Sequence, residues 1–140
     1  MKPRHTAPWL ALVGSCIAIT AAHAAGPTKE EVSAERARIE ADYQAQRKTC
    51  DALAGNAKDV CVEEAKGKQK VARAELEARV DASPRKQSRL AMVRADAAYE
   101  VAKEKCDDLS GEQKDVCVKD AKAAKARAEA DAKAMAKSSS

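Results

Sequence analysis

The chain has 140 residues and a formal net charge of +4; 34% of its residues are charged and 45% nominally apolar, but only 2% are aromatic and none is Phe. Those totals limit it to one domain. Much of the apolar share is alanine, which buries little area per residue, so a thick core around a deep pocket is not expected. The dominant Ala, Lys, Glu, Arg and Asp favour long helices and coiled coils.

The first segment reads as a secretory signal peptide over residues 1–24. Lys2, Arg4 and His5 form a positive start, the run from Trp9 to Thr20 is apolar, and Ala22-His23-Ala24 is a small-x-small cleavage site. The apolar run is too short for a membrane-spanning anchor, which needs roughly 20 residues. The competing reading is a lipoprotein signal, because Val13-Gly14-Ser15 leads up to Cys16. Against it, the apolar run continues beyond Cys16. Cleavage after Ala24 removes both histidines, the single Trp, and Cys16. It leaves 24 basic residues facing 22 acidic ones over 116 residues, a balance unlike that of a general nucleic-acid binder.

An internal duplication organises the remainder. Residues 50–66 and 106–122 are identical at 11 of 17 positions, at an offset of 56 residues. Tyr43 and Tyr99 stand at equal distances before Cys50 and Cys106. Fifty-six residues is a whole number of heptads, so matched side chains share one helical phase.

Each copy is predicted to be a helical hairpin, the first over 25–83 and the second over 84–140. In the first, Thr28 and Glu31 form a capping box, and the helix runs to about Leu53, where Gly55 supplies a left-handed C-terminal cap and Asn56 caps the next helix. That second helix ends near Asp81, before Ser83 as N-cap and Pro84 in the first turn. The third helix reaches Leu109, Ser110-Gly111 repeats the turn, and the fourth extends from Glu112 into a low-complexity tail. The expected fold is therefore all-α: four long helices in two antiparallel hairpins, arranged as an open bundle or coiled-coil-like. Four-and-three spacing selects Val32, Arg36, Ile39, Tyr43, Gln46, Cys50 and Leu53 as the inward face of the first helix. It selects Met92, Ala95, Tyr99, Ala102, Cys106 and Leu109 on the third. The partner faces are Cys61, Ala65, Ala72 and Leu76, then Cys117, Ala121, Ala124, Ala128 and Met135.

Cys50 and Cys61 are 11 positions apart, which along one straight helix is about 16 Å and beyond disulfide reach. They must lie on different helices, level with each other across the turn, and Cys106 and Cys117 stand in the same relation. The even count in an exported chain points to disulfides within each repeat, Cys50 with Cys61 and Cys106 with Cys117. Metal and redox alternatives are disfavoured, because no two cysteines have the close spacing of a zinc site or a dithiol motif.

Other recurrent residues take structural readings. Tyr43 and Tyr99 read as core plugs beside the disulfides, and Lys58-Asp59 and Lys114-Asp115 as first-turn residues where acid is favoured by the helix dipole. Gly67 interrupts the second helix and is a candidate kink, whereas its counterpart Ala123 is not. The mature chain has no His, no Gly-rich phosphate loop and no Ser nucleophile motif, so neither catalysis nor a cofactor, metal or small-molecule substrate is expected. One local rule is broken. Arg85, Lys86, Arg89 and Arg94 open the third helix with no acidic residue between Ala82 and Ala95, although first-turn cations oppose the dipole. Lys66, Lys68, Lys70 and Arg73 form a second basic cluster. The expected role of the first cluster is contact with an anionic surface such as a membrane or an acidic partner.

The tail Ala124-Lys125-Ala126-Arg127-Ala128-Glu129-Ala130-Asp131-Ala132-Lys133 resembles the central helical region of TolA, a cell-envelope protein. The doubled Cys-turn-Cys unit is similar to that of small exported proteobacterial proteins often labelled TolA-like. The first resemblance implies an envelope setting and the second no particular activity. The function expected is that of a periplasmic structural or interaction protein with an envelope partner; the alternative is a small holdase for unfolded clients.

Overall fold

The computed structural model describes residues 26–138. The signal-peptide reading, with Cys16 and the cut after Ala24, lies outside the described residues. Four α-helices follow in chain order: α1 (Lys29–Cys50), α2 (Gly55–Val80), α3 (Pro84–Cys106) and α4 (Gly111–Ser138). None is long and apolar enough to cross a membrane.

The helix starts follow local chemistry at two of four places. Thr28 caps α1 through a reciprocal capping box: its Oγ1 accepts from Glu31 N–H at 3.2 Å, while Glu31 Oε2 accepts from Thr28 N–H at 2.7 Å. Pro84 takes the first turn of α3. Ser83 is the N-cap residue of α3 but makes no side-chain cap, and its Oγ is buried with no hydrogen-bond partner among the described residues; its N–H goes instead to Asp81 Oδ1 at 3.0 Å. The turns also differ from expectation. α1 and α3 stop at Cys50 and Cys106, three residues early, because their last turns tighten into bonds from residue i to i−3 that end with Leu53 N–H to Cys50 O and Leu109 N–H to Cys106 O, both 3.0 Å. Gly55 and Gly111 have left-handed φ of 56° and 55°, but they open α2 and α4 instead of closing the helices before them. Asn56 accordingly falls inside α2 and does not cap it.

Burial shows how the helices are arranged. A helix turns about 100° per residue, so positions two apart face nearly opposite ways while positions 11 apart face the same way. On α2 the buried residues include Ala65 with Gly67, and Ala74 with Leu76 and Ala78; on α3 they include Ser88 with Leu90, and Ala95 with Ala97. These two helices are buried on both flanks. On α1 the buried residues are Ile39 and Cys50, and on α4 Ala121 and Ala132, each pair 11 apart. The outer helices are buried on one flank only. Consistently, α1 packs on α2, α2 on α3 and α3 on α4, while no Cα of α1 comes within 8 Å of one in α3 or α4, nor any of α2 within that distance of α4. The described residues form an open row of four antiparallel helices, not a closed bundle.

Several residues assigned to inward faces therefore lie outside. Leu53 and Leu109 swing out with the tightened turns, and Arg36, Ala124 and Met135 are exposed because the row never closes over them. Helix α2 runs without interruption through Gly67. Gly67 is buried against α3, and a Cβ built there would stand 3.2 Å from Ala97 Cβ. Repeat 2 replaces the buried Ile39 and Leu76 of repeat 1 with the buried Ala95 and Ala132.

Candidate functional site

Both disulfides form within repeats, Cys50–Cys61 and Cys106–Cys117, with Cα separations of 5.6 and 5.7 Å. Cys50 and Cys106 are fully buried. The alternation of helix directions puts both clamps at one end of the row. The recurrent lysines complete each turn, but through an earlier aspartate than their neighbour in sequence: Lys58 pairs with Asp51 at 3.1 Å and Lys114 with Asp107 at 3.0 Å. Tyr43 and Tyr99 are half-buried, and Lys125 Nζ stands 5.1 Å from the centre of the Tyr99 ring, in cation–π range.

At the other end of the row, the first basic cluster meets carboxylates from α2. Lys86 Nζ lies 3.0 Å from Glu77 Oε2, Arg89 Nε 3.8 Å from the same oxygen, and Arg94 Nη2 2.8 Å from Glu75 Oε1. Three of the cluster's four cations, Lys86, Arg89 and Arg94, thus bridge the two repeats. Arg85 is exposed and acts on Asp81 only at longer range. Of the second cluster only Arg73 comes near the first, on the same side of α2 as Lys86 and Arg89. Arg73 reaches back to Glu40 at 2.9 Å and Lys66 pairs with Glu63, while Lys68 lines a groove on the opposite side of α2 with Val71, Ala98 and Val101.

The candidate site is the groove of about 760 Å³ over this inter-repeat seam, walled by α1 and α3 with α2 as its floor. Its polar lining is Arg36, Arg73, Lys86 and Arg89 against Glu77 and Asp81, and Val32, Leu76 and Val80 supply its apolar part. The hydrogen bond from Lys86 holds the Glu77 carboxyl below its usual range, with further attraction from Lys86, Arg89 and Arg36. The bond from the Ser83 N–H does the same for Asp81. Both acids are ionised at neutral pH, and four cations still outnumber two anions. The lining thus carries a modest surplus of positive charge, reduced by Glu40, which pairs with Arg73 from outside the groove. Among the described residues no group of His, Cys, Asp and Glu could hold a metal ion.

On the side of α1 that faces α2, Glu35 accepts from Arg38 at 2.8 Å and from Arg79 at 3.2 Å, tying α1 to α2. Sequence reading missed this residue because its partner lies 44 positions away. The 56-residue offset would have located some of the others: Glu40 with Gln69 in repeat 1 corresponds to Asp96 with Lys125 in repeat 2, and both pairs are in contact.

Comparison with protein-family models, with curated proteins and with solved structures returns no match to this chain.

Proposed function

We propose that the protein is an exported, envelope-associated helical interaction protein that works through the outer faces of its helices. The observation that supports this reading is the open row: among the described residues no other helix packs on the outer flanks of α1 and α4, while the disulfides clamp the turns between helices. Paired disulfides persist in oxidising compartments, which agrees with export to the periplasm. The signal-peptide reading of residues 1–24 points the same way. The basic seam, with Arg85 beside it, is the proposed contact to an anionic envelope surface. Crosslinking in the intact envelope followed by mass spectrometry is the test. A specific partner captured through α1 or α4 supports the reading, and its loss on reversing charges along those faces confirms the route. Co-sedimentation with anionic vesicles at low salt tests the seam, where Arg85→Glu is expected to weaken binding without disturbing a bridge.

A second reading, a holdase, draws on the exposed large side chains Leu53, Val80, Leu109, Val116 and Met135. Leu53 and Leu109 occupy equivalent turns of the two repeats. A holdase suppresses aggregation of an unfolded client and brightens a hydrophobic dye; an interaction protein does neither.

A further inference from the structure

The 56-residue offset relates the two repeats in sequence, but among the described residues their surroundings differ, because α2 is covered by α3 whereas the equivalent flank of α4 is bare. Likewise α3 is covered by α2, whereas the equivalent flank of α1 is bare. We propose that these two bare flanks dock on each other between copies, α4 of one chain receiving α1 of the next in the register of the α2–α3 interface. This names the partner within the interaction reading above and rests on it.

The interface to be repeated is defined by its contacts. Gly67 meets Ala97; Ala74 and Ala78 pack with Leu90; Glu75 pairs with Arg94 and Glu77 with Lys86. Moving the α2 residues forward by 56 and the α3 residues back by 56 gives the contacts between copies. Gly67 and Ala97 become Ala123 and Ala41. Ala74, Ala78 and Leu90 become Ala130, Ala134 and Ala34. Every one of these alanines is exposed, and none would obstruct the approach of a second helix.

The charges carry the argument further than the alanines do. Glu75 with Arg94 becomes Asp131 with Arg38, opposite signs retained on the same sides. Glu77 with Lys86 becomes Lys133 with Glu30: both signs invert, and the pair remains attractive. Asp131, Lys133 and Glu30 make no ion pair among the described residues, and the three are exposed. Arg38, about two-thirds exposed, is held by Glu35 and Asp42 on its own helix and presents its guanidinium at the surface. The other contacts do not all carry over: Glu77 with Arg89 becomes Lys133 with Ser33, Glu64 with Lys105 becomes Asp120 with Thr49, and Val71 becomes Arg127, so the register rests on the two retained pairs and the alanines. The alanine contact buries little area, so the association is weak and depends on salt. Because the two flanks differ, the contact is heterologous, and it extends into a strip or closes into a ring instead of stopping at a two-fold dimer.

Sedimentation velocity on the purified protein with both disulfides intact is the test, over concentrations up to about 1 mM, where weak contacts become populated. The wild type is expected to grow beyond a dimer as concentration rises. Ala41→Lys blocks one flank and Ala123→Lys the other, both at exposed positions; each variant alone is expected to stay monomeric, and an equimolar mixture to form a species of two chains and no larger. Arg38→Asp or Asp131→Arg alone is expected to weaken association about tenfold, and the double variant to recover it. Circular dichroism melts confirm that each variant is folded. A wild type that remains monomeric throughout, or a dimer that survives either single block, overturns the proposal. Envelope crosslinking to a different protein alongside a monomeric wild type overturns self-association while leaving the interaction reading intact.

Discussion

Glu35 shows what one carboxylate does for this fold. Hydrogen bonds from Arg38, followed by attraction from Arg38 and Arg79, hold its pKa at about 2, below the ordinary 4.5, against a smaller opposing effect of desolvation. A depressed carboxylate stabilises the native state fully above its unfolded value and loses that contribution as pH falls through the folded one. Glu40, Glu77 and Asp81 shift in the same direction, through Gln44, Lys86 and the Ser83 backbone respectively. The melting temperature is therefore expected to fall as pH drops from about 5 to 2, and Glu35→Gln to make that fall shallower; thermal melts across the range check both. At this scale the sequence is legible where partners are neighbours. Thr28 and Glu31 announce their capping box, whereas Glu35 and Arg79 become partners only once the hairpin register is known.

Gly67 and Ala123 make the clearest experiment on the helices as units, because equivalent residues sit in unlike places. At Gly67 the helix-propensity gain of an alanine, about 1 kcal/mol, is offset by the close approach to Ala97. Gly67→Ala is expected to change stability by less than about 1 kcal/mol, and Gly67→Leu to lower it by about 1–3 kcal/mol through overpacking. Ala123→Gly, on an exposed flank, is expected to lose the full propensity difference of about 1 kcal/mol. Denaturant titration resolves the three. The start of α3 divides in the same manner. Arg85→Glu is expected to stabilise α3 by about 0.3–1 kcal/mol through the dipole, whereas Lys86→Glu sets a second carboxylate against Glu77 and destabilises the seam. Periodicity in the sequence supplied one inward face per helix. It could not reveal the second face of α2 and α3, because alanine marks both flanks and carries no contrast between core and surface.

For the whole molecule, thin burial puts weight on the two covalent clamps. Each closes a loop across 11 positions, which the chain-entropy model values at about 3 kcal/mol. Replacing Cys50 and Cys61 with alanine, or Cys106 and Cys117, is expected to lower stability by about that amount, and full reduction to bring a small helical protein near its unfolding threshold. Chemical denaturation of the two double variants is the check. The pairing itself was legible, since symmetry about each turn leaves one sensible choice of partner. Openness was not. Whether α1 closes onto α4 depends on bulk at their bare flanks, and those flanks carry mostly Ala and charge in a sequence that is Ala and charge nearly everywhere.

The clamps also set how the chain answers a mechanical load. Both lie at one end of the row, and the starts and finishes of the hairpins lie at the other, so tension applied through residues 26 and 138 peels helices apart from the unclamped end toward the cysteines. The residues enclosed by each bridge never enter the load path. In a tether under force, adding reductant should release about 60 Å of extra contour length from the two loops together, at 3.3–3.6 Å per extended residue. An oxidised chain is thus a shorter, stiffer strap than its residue count suggests, and its reach is governed by the redox state of its surroundings.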